Sequence, residues 1–264
     1  MRPLRVSAIS FLNTAPLMWD FENGRLPESG ITRRGTGALA DFEVSYTVPS
    51  HCAEALRHGR ADIGIIPAIA YATTPGLVIL PDAAIAAKAA VRSILLVSKK
   101  SIEQVNTIAA DTSSRSSVAL ARILCQKLWG RVRDFRDFAP DLDSMLRACD
   151  AALLIGDPAL RIERTRYFVY DLAEEWRNFT GKPFVFAFWA ARLEALSDVR
   201  RDLDVAAVFR DSRDHGLEPS NLAQIARQWS PRVGLSEAEI TTYLTRHIHF
   251  FLDAENLADR KSVV

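Results

Sequence analysis

The chain has 264 residues, of which 48% are hydrophobic and 25% are charged, as in ordinary globular proteins. Its formal net charge of +1 gives no broad electrostatic footprint for nucleic acid. No apolar run reaches membrane-spanning length, and the apolar stretch near the start is interrupted too soon, by Ser10 and Asn13, for a signal-peptide core. We therefore expect a cytoplasmic protein whose length favours about two domains.

The cysteines and histidines show no metal-binding spacing. Cys52, Cys125 and Cys149 are scattered through apolar helical patterns, which favours buried free thiols over a disulfide framework. His247 and His249 are two residues apart on a predicted helix, and residues at that spacing do not face each other. Because a structural metal site needs three or four converging ligands, we expect neither a metal nor a cofactor.

The first 100 residues alternate between strand and helix patterns, which is typical of an α/β sheet. Strands are predicted at 4–10, at 42–48, at the start of 62–71, at 77–81 and at 91–98. Helices are predicted around Leu17–Phe21, from Pro49 to about Gly59, and at the end of 62–71. The segment 24–41, rich in Gly, Arg and Pro, reads as a surface loop.

A second α/β unit follows Lys99 and Lys100. Its predicted strands are 107–110, 132–138 and 151–157, and its predicted helices are 114–129 and 142–149. The charged stretch 161–168 favours a solvated face, 183–191 reads as an apolar strand, and helices are predicted near 193–212, 220–229 and 236–253. The second unit is thus inserted between two long strands, as in periplasmic-binding proteins, where the ligand lies between two lobes. That analogy concerns the fold and not the function.

The stretch TIAADTSSRSSVALARIL (107–124) reads as a strand, a hydroxyl-rich loop and an amphipathic helix. Residues 113–117 would then lie at the helix N-terminus, where free N–H groups and the helix dipole favour an anion. Arg115 could add a bidentate grip on a carboxylate or a phosphate. Helices also begin with Ser or Asp as ordinary N-caps, so this pattern alone leaves both interpretations open.

Candidate binding residues gather where the predicted strands end, because open α/β sheets bind ligands beyond the carboxyl ends of their strands. In the first lobe these are Ser10, Asn13 and Thr14, followed by Pro67 and Ala68. The second lobe offers Ser113–Ser117 and Gly156–Asp157, and Arg92 and Ser93 start the strand that crosses between the lobes. We expect all of them to face one cleft.

Six stretches together resemble the chorismate dehydratase family of the futalosine route to menaquinone. They are VSAISFLNTAPL (6–17), ADIGIIPAIAY (61–71), VRSILLVSK (91–99), DTSSRSSVALARIL (111–124), CDAALLIGDPAL (149–160) and DLAEEWRNFTGKPFVFAFWAAR (171–192). The resemblance implies an α/β, two-lobed type II periplasmic-binding-protein-like fold with the second α/β lobe inserted between two crossing strands. Lobe 1 would comprise 1–96 and 187–264, and lobe 2 would comprise 97–186.

The implied reaction is the dehydration of chorismate to 3-[(1-carboxyvinyl)oxy]benzoate by a lyase. The resemblance assigns catalysis to Asn13 and Ser93. It assigns substrate binding to Ser113, Ser114, Arg115, Ser116, Ser117, Gly156 and Asp157, and we add Ser10, Phe11 and Thr14 of the first loop. This chain differs from the family pattern at 87–90, where Ala-Lys-Ala-Ala replaces a hydroxyl residue, an acidic residue, Gly and Pro. A function for a side-chain hydroxyl at position 87 is therefore in doubt.

The general base is not obvious, because no His or Glu falls within these motifs. We expect the enolpyruvyl carboxylate of the substrate itself to take the proton, with Asp157 as the alternative. Asp157 could instead cap a helix beginning at Pro158, and Asn13 could cap the turn before Pro16. Of the aromatic residues, only Phe11 is expected in the cleft, since runs of aromatic residues are more often core.

Other functional classes share this fold. A non-catalytic binding protein for a small carboxylate would share the anion site, although such proteins usually carry a secretion signal. A sister enzyme acting on a cyclic futalosine derivative is expected to show a different first loop and a histidine near its chemistry. A DNA-binding regulator would carry an additional helix-turn-helix domain. The expected partner is thus a small molecule, neither nucleic acid nor membrane, with a homodimer through 236–253 left open.

Overall fold

The computed structural model describes residues 2–24, 41–197 and 203–255. The predicted surface loop at 24–41 lies almost entirely outside these residues, so its structure is not tested. In the described part of the chain, no helix is long and apolar enough to cross a membrane.

Two β-sheets organise the described residues. The first has six strands in the order β11-β4-β10-β3-β1-β2. Their bounds are β1 Leu4–Ile9, β2 Phe42–Thr47, β3 Ile63–Pro67, β4 Leu77–Ala87, β10 Phe184–Arg192 and β11 His249–Leu252. Strand β1 runs parallel to β2 and β3, whereas β10 runs antiparallel to β3 and β4. The βαβ rhythm read from the sequence is therefore confirmed around β1.

The second sheet has five described strands in the order β7-β6-β8-β5-β9. Their bounds are β5 Ile94–Ser98, β6 Thr107–Asp111, β7 Asp134–Phe138, β8 Ala151–Ile155 and β9 Phe168–Asp171. Strand β6 is parallel to β7 and β8, and β5 is antiparallel to β8 and β9. Strand β8 ends at Ile155, two residues earlier than predicted, because Gly156 takes a positive φ of 62° and opens a helix.

Eleven α-helices connect and cover these strands in the described ranges. They are α1 Trp19–Asn23, α2 Pro49–Arg57, α3 Ala68–Ala72, α4 Arg115–Lys127, α5 Leu142–Ala148, α6 Gly156–Leu160, α7 Leu172–Thr180, α8 Leu193–Ser197, α9 Val205–Gly216, α10 Pro219–Val233 and α11 Glu237–Thr242. A 3-10 turn at Leu12–Met18 leads from β1 into α1. Most predicted helices are thus confirmed within a few residues, but the one predicted near 193–212 is described as two helices, α8 and α9, and 198–202 lie outside the described residues.

The predicted helix at 236–253 is wrong in its second half. Helix α11 ends at Thr242, a π-helical turn spans Tyr243–His247, and the chain then extends as β11. The physical reason is the open edge of β4, against which β11 pairs antiparallel. His249 therefore lies on a strand rather than on a helix. Strand β9 was also missed, because its short sequence adjoins the charged and exposed stretch 161–168.

The chain changes sheet twice, between β4 and β5 and between α7 and β10. The division into lobes at 96/97 and 186/187 stays a prediction, and the two changes of sheet lie a few residues before those positions. One continuous apolar core joins both sheets, with Trp189 of β10 and Leu12 of the first turn fully buried in it. Cys52, Cys125 and Cys149 are free and buried, as predicted.

Candidate active site

The carboxyl ends of the two sheets face each other around a small cavity of about 40 Å³. Ile94 at the start of β5 pairs with Ile155 at the end of β8, which brings Ser93 to the edge where β8 ends. The residues that line the cavity come from both sheets and their connections. They are Ile9, Phe11, Asn13, Pro49, Pro67, Ile85, Val91, Ser93, Ile94, Ser114, Ser117, Ile155, Gly156, Phe186 and Ala187. Six of the predicted site residues are thus found together here: Phe11, Asn13, Ser93, Ser114, Ser117 and Gly156.

Asn13 lies in the turn after β1 and lines the cavity. It does not cap the turn: the N-cap position is Phe11, and no side chain makes a capping hydrogen bond there. Instead, the buried Thr14 hydroxyl donates to Asn13 Oδ1 over 3.3 Å. That bond identifies which end of the Asn13 side-chain amide is the oxygen, and it leaves the NH₂ group for other partners. Thr14 therefore orients Asn13 from outside the cavity.

Ser93 is only 1% exposed, and its Oγ has no hydrogen-bond partner among the described residues. The preceding residue, Arg92, has a positive φ of 63°, which is costly for a residue with a side chain. The Asp171 carboxylate holds this conformation by accepting from Val91 N over 3.1 Å and from Arg92 N over 2.7 Å. Asp171 also caps α7. The sequence motif DLAE could have signalled the cap, but not this second contact.

The N-terminus of α4 forms the opposite wall. Ser114 is its N-cap and accepts from Ser117 N over 3.3 Å, so the ordinary capping function is present. The Ser114 hydroxyl also donates to Ser117 Oγ over 2.9 Å, and both residues line the cavity. By helix geometry the first N–H groups of α4 lack partners within the helix. Capping and anion binding are therefore compatible at this helix end.

Ser113 and Ser116 have other neighbours. The backbone N–H and the hydroxyl of Ser113 both donate to Asp111 Oδ1, over 2.9 and 2.6 Å. Burial raises the pKa of Asp111, and its Oδ2 has no partner in the described structure. Ser116 Oγ accepts from Ile69 N over 3.3 Å, so this side chain ties α4 to α3. Ser116 lies outside the lining of the cavity.

Arg115 points into a wider groove of about 870 Å³ that continues from the cavity past Phe11 and Ser114. Its guanidinium donates to Glu54 Oε1 over 3.0 Å, and both side chains are about 40% exposed. The groove also carries His51 and Arg122. Arg115 is therefore placed at the entrance rather than at the cavity.

Gly156 and Asp157 begin α6, but Asp157 does not cap it, since the N-cap is Ile155 without a side-chain bond. Asp157 Oδ1 accepts instead from Leu12 N over 3.0 Å. Burial raises the pKa of Asp157 to about 6. A Cβ at Gly156 would lie 2.7 Å from the Phe11 ring, so only glycine allows this approach. Gly156 and Asp157, which follow β8 of the second sheet, thus hold the first loop in place.

Several hydrogen bonds join the two sides of the cleft, including the one from Arg115 to Glu54. Three others run from Leu12 N to Asp157 Oδ1, from Ser50 N to Ser113 O over 3.0 Å, and from Ile69 N to Ser116 Oγ. Functional binding sites for small molecules usually measure about 300–1,000 Å³, much more than this cavity. The described arrangement is therefore a closed one.

Some predicted residues lie elsewhere, and some relevant ones were missed. Ser10 is exposed and its hydroxyl donates to Thr47 O over 3.3 Å. Phe186 lines the cavity, although aromatic runs were predicted to be core. Tyr243, in the π-helical turn, is buried close to the side chains of Ser93 and Asn13. No sequence signal placed that tyrosine near the first loop.

At the departure from the family pattern, Lys88 points outward and pairs with Asp253 over 3.0 Å and Glu255 over 2.9 Å. Ala87 is buried in β4. Within the ranges that the structure describes, no group of three or more His, Cys, Asp or Glu side chains is placed to hold a metal ion.

The chain is 28% identical over 225 residues to the chorismate dehydratase of Thermus thermophilus, which covers 78% of this chain and 80% of that protein. It is 29% identical over 182 residues to the chorismate dehydratase of Campylobacter jejuni, covering 68% and 63%.

Among solved structures, the periplasmic aliphatic sulphonate binding protein SsuA from Escherichia coli superposes with a TM-score of 0.64 at 19% identity, covering 99% of this chain and 90% of that one. The predicted periplasmic-binding-protein-like fold is therefore confirmed. A model of the menaquinone-biosynthesis family matches residues 4–259. The chain belongs to the menaquinone-biosynthesis family.

Proposed function

We propose that this protein is a hydro-lyase that dehydrates chorismate to 3-[(1-carboxyvinyl)oxy]benzoate, the first step of the futalosine route to menaquinone. One observation carries the proposal: Asn13, Ser93 and the N-terminus of α4 line one cavity. The family membership and the identity to two proteins named chorismate dehydratase support the choice of substrate. The partner of the protein is accordingly a small molecule.

Chorismate presents two carboxylates and a ring hydroxyl, which need charge-assisted and neutral hydrogen bonds. The N-terminus of α4 offers backbone N–H groups and the Ser114 and Ser117 hydroxyls to one carboxylate. Each charge-assisted bond contributes about 1.5–3 kcal/mol. Arg115, at the entrance, attracts the dianion and grips a carboxylate once it leaves Glu54. Gly156 allows Phe11 to close one wall.

Elimination breaks the C–H bond at the ether-bearing carbon, and that electron pair forms the new ring double bond. The neighbouring C–O bond breaks, and the departing hydroxide and the removed proton together form water. No other group is consumed, and the gain of aromaticity drives the step. The task of the protein is alignment and charge stabilisation, which preorganised donors supply. Asn13 and Ser93 both line the cavity, and we assign them to the leaving hydroxyl and the ring carboxylate.

The enolpyruvyl carboxylate of the substrate is the proposed base. The position of Asp157 favours this assignment, because its Oδ1 is engaged by Leu12 N and the residue lies outside the lining of the cavity. Asp157 is the alternative base, since burial raises its pKa to about 6. A base must lie within hydrogen-bond reach of the proton it removes.

Substrate entry requires the two sides to separate, since the closed cavity of about 40 Å³ is far smaller than a usual small-molecule site. The hydrogen bonds across the cleft would break and reform with each turnover. Closure then excludes water and brings Asn13 and Ser93 against the substrate.

A non-catalytic binding protein for a small carboxylate is the second candidate, and the fold shared with SsuA supports it. Incubation of the purified protein with chorismate separates the two. Loss of the diene absorbance with appearance of the aromatic product supports the lyase. Saturable binding without product supports the binding protein.

The proposal includes a cytoplasmic location and a homodimer. The three free, buried cysteines support a reducing compartment, where thiols stay reduced. Strand β11 forms one edge of the first sheet as described, and such an edge can pair with a second copy. Light scattering on the purified protein measures the mass in solution, and a monomer contradicts the dimer.

A further inference from the structure

Tyr243 is the largest polar side chain buried beside the candidate catalytic residues, and it comes from a distant part of the chain. It begins the π-helical turn Tyr243–His247 and is 1% exposed. The last residue of the turn, His247, bonds through Nδ1 to Ala90 O over 2.9 Å, three residues before Ser93. The turn is thereby fixed to the segment that carries Ser93. Single π-helical turns occur frequently at functional sites.

The Tyr243 side chain lies close to the side chains of both Ser93 and Asn13. Burial, with Asp157 and Asp171 nearby, raises the pKa of Tyr243, so the phenol stays neutral and keeps its proton. The Ser93 Oγ is buried and has no bond of its own among the described residues. Because Thr14 donates to Asn13 Oδ1, the Asn13 NH₂ group is the end of that amide left for Tyr243.

We propose that Tyr243 is a positioning residue for the elimination: in the substrate complex its hydroxyl accepts from the Asn13 amide and donates to Ser93 Oγ, a bond that the described structure does not contain, and this turns the Ser93 hydrogen into the cavity. The inference rests on the proposed function, because the group that receives the Ser93 hydrogen is the leaving hydroxyl of chorismate. Tyr243 itself lies outside the lining of the cavity and acts through the two residues that line it.

The direction of this chain of hydrogen bonds has a chemical consequence. A serine hydroxyl is a free rotor that serves as donor or acceptor. With its oxygen occupied by a donor from Tyr243, its hydrogen is available for the oxygen that gains charge as the C–O bond breaks. Donors fixed in advance toward developing charge lower a barrier more than donors that must reorient.

The test is Tyr243→Phe, which removes one oxygen and keeps the ring packed. We expect kcat to fall about tenfold or more, with KM within about twofold, as for the loss of one hydrogen bond made in the transition state. The matched control is Tyr170→Phe. It removes a hydroxyl that lies away from the cavity and accepts a hydrogen bond from Ile102 N over 2.9 Å. Tyr170→Phe should leave kcat unchanged.

A double-mutant cycle isolates the action through Ser93. In a Ser93→Ala background, Tyr243→Phe should cause little further loss of kcat. Thermal melting of each variant establishes that the fold is retained. Wild-type kcat in Tyr243→Phe, or an equal loss with and without Ser93, would overturn the inference. Wild-type protein that fails to convert chorismate overturns the proposed function itself, and this inference with it.

Discussion

The backbone N–H of Leu12 donates to Oδ1 of Asp157 over 3.0 Å and so joins the first loop to the second sheet. These residues are 145 positions apart in the chain. Leu12 is fully buried, and its neighbour Asn13 lines the cavity. The position of the Asn13 amide therefore depends on a carboxylate of the other sheet.

Asp157 should make stability depend on pH. Burial raises its pKa in the folded protein to about 6, against about 3.9 for an unfolded chain. Between these values the folded state binds more protons at this site, so the contribution of Asp157 to the free energy of unfolding falls as pH rises from about 4 to about 6, by about 2–3 kcal/mol. Denaturant titrations across this range measure the slope.

Asp157→Asn keeps an acceptor for Leu12 N and removes the titration. We expect this variant to lose the Asp157 contribution to the slope and to be more stable than wild type at pH 7–8. Asp143→Asn, which alters an exposed carboxylate, is the matched control and should keep the slope. Turnover retained in Asp157→Asn supports the substrate carboxylate as base, whereas its collapse would make Asp157 the base.

Asn13→Ala and Asn13→Asp should both abolish most turnover. Alanine removes the amide, and aspartate puts a negative charge where a dianion must bind. A loss of about 10²–10³ in kcat is expected for a lost donor to developing charge. Steady-state kinetics and thermal melting measure both effects, and near-normal turnover in both variants would contradict the assignment.

Ser93→Ala should separate activity from stability. The hydroxyl is buried and forms no hydrogen bond in the described structure, so its removal costs no existing bond. We expect the free energy of unfolding to stay within about 1 kcal/mol of wild type or to rise, while kcat falls about 10²-fold. A strongly destabilised Ser93→Ala protein would show that Ser93 is structural.

Gly156→Ala should harm both fold and activity. Its φ of 62° disfavours a side chain, and the new Cβ would lie 2.7 Å from the Phe11 ring. Gly130→Ala is the matched control, since φ is 65° there and nothing lies within 4 Å. The control should lose about 1 kcal/mol by backbone strain alone and keep full kcat. Equal effects of both substitutions would mean that the Phe11 contact is unimportant.

Arg115→Ala should act on KM rather than on stability. The ion pair with Glu54 is exposed and contributes less than about 1 kcal/mol. We expect KM for chorismate to rise about tenfold or more, as for one lost charge-assisted bond, and Glu54→Gln to leave KM equal or lower because Arg115 is released. The control is Arg166→Ala, another exposed arginine paired with a glutamate. An unchanged KM in Arg115→Ala would remove Arg115 from the binding site.

The parallel βαβ segments could be predicted from sequence because their signals are local. Continuous apolar runs marked β3 and β8, and a hydroxyl-rich start marked α4. The same local rules predicted helix over 249–252, where the edge of β4 instead provides backbone partners for β11. Such pairing depends on residues more than 160 positions away and leaves no periodic signal.

The site was only partly predictable, for the same reason. The rule that ligands bind at the carboxyl ends of strands brought Asn13, Ser93 and Ser114 together correctly. It carried no information on Tyr243, which comes close to Ser93 and Asn13 from the C-terminal region, or on Asp171, which fixes the turn before Ser93. The pairing of Arg115 with Glu54 was equally invisible, because it joins two helices from different sheets.

The most direct test of the account is conversion of chorismate by the purified wild-type protein alone, followed by ultraviolet absorbance and by NMR of the product. We expect stoichiometric loss of the diene, formation of 3-[(1-carboxyvinyl)oxy]benzoate, and loss of that activity in Asn13→Ala. Tight binding of chorismate with no product, under conditions where the protein is folded, would contradict it.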